Sequence, residues 1–262
     1  MPQAPLRDAF DGVACSVLAA AAGSPHVRSV ERCLSTMDIG HQMGAEGAPH
    51  GSVIVADVQD AGRGRSGARW SSATACGVWA SVLLRATGES PPGVLSLRVG
   101  LTLARELDHC AHTRVRLKWP NDLWLPEGKL AGILTEARWR GDSLEWMVVG
   151  VGVNLSVSVA VAEDTKRDYR VAALRDDVTR SQVLVNVVRL VLSAATLTGE
   201  LQVDELDQYA RRDFASGREI SSPVVGTIHG ISARGALLVR LATGTVVPVV
   251  AGSIVFSSPL EV

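Results

Sequence analysis

The sequence predicts an α+β fold: a mixed β-sheet with packed helices over residues 30–214, followed by a small β domain. Three observations carry this. Short β-branched runs such as Ser52–Val58 (SVIVADV) read as buried strands between longer helical segments. Leu95, Val99, Leu103 and Leu107 recur every fourth residue and so share one helix face. From Gly217 onward glycines punctuate brief runs at Val224–Ile231, Ala236–Leu241 and Thr245–Val250. That spacing suits a small barrel or sandwich of about 45 residues. The boundary falls near Ala215, dividing the 262-residue chain into units of 1–214 and 215–262.

Taken in order, Leu6–Ala22 is Ala-rich and reads as a short helix. Arg7, Asp8 and Asp11 lie within or beside it, and the two acids argue against a secretory or mitochondrial leader over Met1–Gly23. After the strand at Ser52–Val58, Gly62–Gly67 (GRGRSG) must be a loop, because three glycines in six residues weaken any regular element. Gly77–Arg85 resumes a strand. The SPPG segment at 90–93 launches the helix that carries Leu95 to Leu107. Val115–Trp119 is a strand stopped by Pro120. Leu130–Trp139 and Ser143–Leu155 form a hairpin about Arg140-Gly141-Asp142. Leu155–Arg175 is irregular and partly polar. Gln182–Leu197 and Asp204–Phe214 read as helices, the second amphipathic.

Composition narrows the function classes. With 47% hydrophobic and 20% charged residues the chain is an ordinary globular one. A net charge of −1 argues against general nucleic-acid binding. No run of apolar residues is long enough to span a membrane, and the scattered cysteines fit an intracellular compartment, so a cytoplasmic location is expected with organellar targeting left open. The cysteines at 15, 33, 76 and 110 form no CxxC pair and read as reduced apolar fillers. His109 and His112 are joined by no cluster of further ligands, which makes a structural pair the plain reading.

The chemistry concentrates in one loop. Gly62, Gly64 and Gly67 spell GxGxxG after a strand, but a dinucleotide loop must open a helix, and here Ala68-Arg69-Trp70-Ser71-Ser72 leads into another strand. Arg63, Arg65 and Arg69 offer guanidinium forks to carboxylate or phosphate, and the glycines let backbone approach a ligand. A solvated basic turn is the alternative for the loop alone.

Its neighbours shift that balance. Gln59-Asp60-Ala61 precedes the loop. Lys118-Trp119-Pro120-Asn121-Asp122, then Gly128-Lys129-Leu130-Ala131-Gly132-Ile133-Leu134, then Val149-Gly150-Val151-Gly152-Val153-Asn154-Leu155 follow it. In order and spacing these blocks, spanning about residues 30–155, resemble the biotin–protein ligase family. Ser35-Thr36 resembles that family's substrate-loop start, with Met37 where the family usually has Asn.

The resemblance implies a biotin/lipoate ligase-like catalytic domain and a C-terminal SH3-like β-barrel. It implies biotinyl-AMP formation from biotin, ATP and Mg2+, then transfer to a lysine of a carboxylase's biotin carboxyl carrier domain. It places Ser35, Thr36, Gln59, Arg63, Gly64, Arg65, Lys129 and Gly132 around biotin. Arg63, Arg65, Arg69, Trp70, Asn121, Asp122, Lys129 and Asn154 would surround ATP and the adenylate. Arg65, Lys129 and Asp122 would act in catalysis, with Asp122 also near the metal. Ser66 and Ala68 stand where the family often has arginines, which puts the retention of the adenylate in question. The segment ahead of Ser35 is too short for the winged helix of the family's repressor members, so a monofunctional ligase with no DNA partner is expected.

Plain alternatives attach to several residues. Trp70 and Trp119 could be core aromatics, Lys118 a solvated strand end and Asn154 a turn cap. Lys129 is harder to dismiss, because Gly128 and the apolar run 130–134 frame a single charge. Two other functions remain open: a lipoate–protein ligase, or a non-catalytic biotin-binding scaffold. The acceptor carboxylase and the oligomeric state are not readable from the residues.

Overall fold

The computed structural model describes residues 5–85, 91–158, 169–174 and 178–258. Met1, Ser90, Arg175 and most of the polar stretch after Leu155 lie outside the described residues. Two sheets carry the fold. Among the described residues the larger has eight strands: β1 (Leu6–Arg7), β4 (Val27–Cys33), β5 (Val53–Gln59), β6 (Gly77–Arg85), β10 (Ser143–Asn154), β9 (Gly128–Arg140), β8 (Asp122–Leu125) and β7 (Arg116–Lys118), in that spatial order. β4 and β5 pair in parallel and the remaining neighbours antiparallel, so the sheet is mixed as expected.

Period-two alternation sorts these strands onto two faces. Val53 and Val55 of β5, Val78, Ala80, Val82 and Leu84 of β6, and Val149, Val151 and Val153 of β10 enter the main core. That core is completed by α1 (Cys15–Ala22), α3 (Pro92–Ala111) and α4 (Arg180–Ala195). The expected stripe of Leu95, Val99, Leu103 and Leu107 is fully buried there. Ile54, Ala56, Leu83 and Val148 face the other way, onto α2 (Thr36–Ala45). Near that helix the face is closely packed: a Cβ on Gly40 would lie 2.7 Å from Val148, and one on Gly44 2.6 Å from the Trp146 ring. Further along the same face, glycines take the place of valines and the surface opens into a cleft.

A second sheet orders β14 (Val246–Val249), β13 (Leu237–Arg240), β12 (Gly226–Ile231), β11 (Glu219–Ser222) and β15 (Val255–Phe256), all antiparallel. This is the small strand-rich unit that the change of texture at Gly217 announced.

Three expectations are corrected. Leu6–Ala22 is not one helix. β1 adds to the edge of β4, a hairpin joins β2 (Ala9–Phe10) to β3 (Val13–Ala14), and only Cys15–Ala22 is helical. Tertiary pairing outweighs the helical preference of a few alanines. The helix expected over Asp204–Phe214 is α5 (Val203–Ala210) and stops early. Beyond it the Leu117 N–H donates to the Arg212 carbonyl and the Phe214 N–H to the Leu117 carbonyl, so the chain leaves helical pairing to run beside β7. Strands β4 and β8 and helix α2, absent from the reading of the sequence, are regular elements.

Candidate active site

A cleft of about 290 Å³ lies on the glycine-bearing face of the large sheet, between the arginine loop and the second sheet. Valines at 149, 151 and 153 point into the core, so Gly150 and Gly152 face the cleft, and Gly132 is the register partner of Gly152 on β9. Each glycine leaves room for something specific. A Cβ on Gly150 would meet the Met37 sulfur at 2.5 Å. Cβ atoms on Gly132 and Gly152 would meet the Trp70 ring at 2.8 and 2.5 Å. Trp70 stands close over Gly132 and Gly152, its indole lying across the two strands as a wall of the cleft that Gly132 also lines. Trp79 packs edge-on against it, the centroids 6.1 Å apart.

One end of the cleft is polar and buried. Ser35 caps α2, its hydroxyl oxygen accepting from the Met37 N–H, which leaves the hydroxyl hydrogen to donate elsewhere. Gln59 Oε1 accepts from both the backbone N–H and the hydroxyl of Thr36, at 2.8 and 3.1 Å. Ser81 in turn donates to the Thr36 hydroxyl at 2.8 Å. The Gln59 amide is therefore held with its NH2 as the end left to donate. Met37 is a buried apolar floor beside these donors.

The other end is cationic. The Lys129 ammonium lies 2.7 Å from Asp122 and over the rings of Trp70 and Tyr169, 5.2 and 5.3 Å from their centroids. Its backbone is clamped as well. The Lys129 N–H donates to the Arg170 carbonyl, and the Ala172 N–H to the Lys129 carbonyl. Gly128, at φ 153°, permits this approach, since a Cβ there would lie 2.3 Å from the Arg170 oxygen. Asn154 uses both amide hydrogens on backbone, donating to the Lys129 and Ala172 carbonyls. It lines the cleft's extension toward Tyr169 but serves first to hold the Lys129 strand. Asn121 is likewise committed, donating to the Ile133 carbonyl.

The arginine loop closes on itself. The Gly64 N–H donates to the Ala68 carbonyl and the Trp70 N–H to that of Gly62. Its arginines then diverge. Arg65 reaches the Gly252 carbonyl at 3.3 Å and lies 5.9 Å over Trp119. Burial lowers its guanidinium from the usual value, while Asp122 pulls it back up. Arg63 instead sends its guanidinium to Glu136 and Asp38, at 2.9 and 3.2 Å. Arg69 is exposed at the mouth. Trp119 is a core residue, 3% exposed, and its indole N–H donates to the Gly235 carbonyl in the turn between β12 and β13.

The structure thus brings the expected residues to one cleft or its rim and adds three features the motifs did not contain. These are Tyr169, the Ser253–Val255 segment that walls the cleft from the second sheet, and the carboxylates that hold Arg63. Among the described lining residues Asp122 is the single carboxylate, and Arg65, Arg69, Lys118 and Lys129 line the cleft with it, while the Arg63 charge is taken up by Glu136 and Asp38.

Fold and cleft together define a two-sheet α+β protein whose cleft offers neutral hydrogen-bonding groups at one end and cations at the other. The comparisons agree. Residues 30–154 match the model of the biotin/lipoate A/B protein ligase family, and residues 221–257 match that of the biotin protein ligase C-terminal domain. The biotin–[acetyl-CoA-carboxylase] ligase of Mycobacterium tuberculosis is 30% identical over 222 residues, covering 78% of this chain and 79% of that one. The bifunctional ligase/repressor BirA of Bacillus subtilis is 34% identical over 125 residues, covering 47% of this chain and only 38% of that one. A biotin protein ligase from Aquifex aeolicus, solved with biotin and ATP, shares the fold with a TM-score of 0.71 at 23% identity, over 87% of this chain and 97% of that one. The chain belongs to the biotin protein ligase family.

Proposed function

We propose that this chain joins biotin to protein in two steps, with 1–214 as the catalytic unit and 215–262 as the unit that closes the cleft. In the first step the biotin carboxylate attacks the α-phosphorus of ATP and pyrophosphate leaves. In the second, a carrier-domain lysine amine attacks the acyl carbon and AMP leaves. The carrying observation is the polarity of the cleft: locked neutral donors at Ser35 and Gln59, and cations around Asp122.

Each end suits one part of the reaction. The ureido carbonyl of biotin accepts hydrogen bonds, which is what Ser35 and Gln59 can donate. The first step brings two anions together, so its barrier falls where fixed cations meet the charge that builds on phosphorus. Lys129 and Arg65 are such cations. Their positions are set beforehand by Asp122 on one side and by Trp119 and Gly252 on the other. Trp70 and Tyr169 supply flat faces for a nucleobase or acyl chain. Asp122, already 2.7 Å from one ammonium, can orient the ammonium or amine of the incoming lysine.

No group of three or more metal-ligating side chains occurs among the described residues. Magnesium usually rides on substrate phosphates with one or two protein carboxylates. Asp122 would be its contact, where it would neutralise phosphate charge.

The test is direct. With biotin, ATP and magnesium, the protein should form biotinyl-AMP, detected by mass, and release one pyrophosphate per turnover. With a carrier domain added, the label should move to one lysine. Formation of lipoyl-AMP in preference, or release of no pyrophosphate, defeats the proposal.

A further inference from the structure

Arg63 belongs to the arginine loop, yet its charge is engaged outside the cleft. Its Nη2 donates to Glu136 Oε2 at 2.9 Å and lies 3.2 Å from Asp38 Oδ1. The same Glu136 oxygen accepts from His41 Nε2 at 3.0 Å. The His41 ring is oriented by Trp146, whose indole N–H donates to Nδ1 at 3.1 Å. An Nδ1 that accepts leaves the proton on Nε2, pointing at Glu136. The His41 hydrogen bond, and then Arg63, hold the Glu136 carboxyl below the usual carboxylate range against its burial. One oxygen of β9 thus joins α2 and the loop, and His41 links it on to β10.

We propose that Glu136 is a positioning residue of the biotin-activating site: it anchors the arginine loop from outside by gripping Arg63, so that Arg65, two residues on, is aimed inward. The geometry on the inner side completes the argument. Arg65 goes to Gly252 and Trp119, opposite in direction to Arg63, with Gly64 between them. The loop is therefore held at two points, one on each side. A lone ion pair as exposed as Arg63–Glu136 contributes little. Here three donors and two carboxylates share the task, and what is held is a loop with few buried contacts of its own. Arg63 then acts through its fixed backbone, and Arg65 supplies the charge.

The proposal rests on the ligase reading, and the experiment separates the two. Glu136→Gln, Arg63→Ala and the double variant are compared with wild type by trypsin cleavage of the free protein after Arg65 and Arg69, sites that every variant keeps, which needs no activity. The biotin KM and kcat of adenylation, and the rate at which preformed biotinyl-AMP escapes, are then measured. Glu136→Gln should speed loop cleavage and adenylate escape about tenfold, and raise KM more than it lowers kcat. Arg63→Ala should do the same, and the double variant should be no worse than either single one. Unchanged cleavage in Glu136→Gln, or additive effects in the double variant, would overturn the anchor. A wild-type protein that makes no adenylate removes the ligase reading, while faster cleavage in Glu136→Gln would still establish the clamp on the loop.

Discussion

At the scale of single residues, the Lys129 ammonium shows how a cation is readied for one task. Its side chain is 13% exposed, packed between Trp70 and Tyr169 and paired with Asp122. A charge-assisted contact from it to the biotin carboxyl is worth roughly 1.5–3 kcal/mol, so Lys129→Ala should weaken biotin binding about 10- to 150-fold. The adenylation rate should fall with it, since the contact grows as charge moves onto the phosphoryl oxygens. Calorimetry with single-turnover kinetics on folded protein checks both. Arginine at 129 should remain poorly active, because its fork does not fit where an ammonium sits between two rings. Arg65→Ala should lose on the order of 10²-fold in the adenylation rate constant, with lysine a partial rescue. The place of Lys129 and Arg65 at the cleft was legible from their motif blocks. The opposite engagement of Arg63 was not, because Asp38 and Glu136 are remote in sequence and belong to no motif.

At the scale of elements, the alternation Val149-Gly150-Val151-Gly152-Val153 explains the cleft more fully than any one contact. The valines anchor β10 in the core while the glycines admit Met37 and Trp70. Gly152→Ala places a methyl 2.5 Å from the Trp70 ring, with the strand backbone unable to move. The ring must leave its place. The expected result is a loss of about 1–3 kcal/mol in stability by denaturant titration and a sharp rise in the KM for ATP. A second element-scale test concerns α3. Arg98 is 2% exposed and donates to Glu205 and to the carbonyls of residues 197, 199 and 200, tying α3 to α5. Arg98→Met should cost roughly 3–5 kcal/mol, because it strands Glu205 and several carbonyls together. A calorimetric Tm near that of wild type would contradict this.

The same scale shows what sequence patterns convey. β6 and the β9–β10 hairpin were legible because their β-branched runs are long and bounded by turn residues. Helix α2 was not. Gly40 and Gly44 weaken its helical signal, and they are there so that the helix can lie close on Val148 and Trp146. The feature that hides the helix from a local reading is the one that docks it.

At the scale of the molecule, the two sheets share one cleft. The Trp119 N–H to Gly235, Arg65 to Gly252, and the wall of Ser253–Val255 join them. Trp119→Phe keeps the buried ring and removes one such bond, at a cost of about 0.5–1.5 kcal/mol. Thermal unfolding should shift down modestly, and the KM for ATP should rise as the wall loosens. A variant matching wild type in both would show that the sheets are held by apolar packing alone. Sequence texture separated the two sheets, but their meeting across the cleft depends on pairs more than 100 residues apart, such as Trp119 with Gly235.

That meeting has a consequence in time. The cleft draws on residues from Ser35 to Val255, so its first and last walls are about 220 positions apart in the order of translation. The large sheet can pair and bury its valines while the chain is still emerging from the ribosome. The cationic cleft cannot be complete until the segment at 253–255 has come free. A nascent chain could therefore pair its large sheet before the second sheet and Ile254 complete the core and wall the cleft.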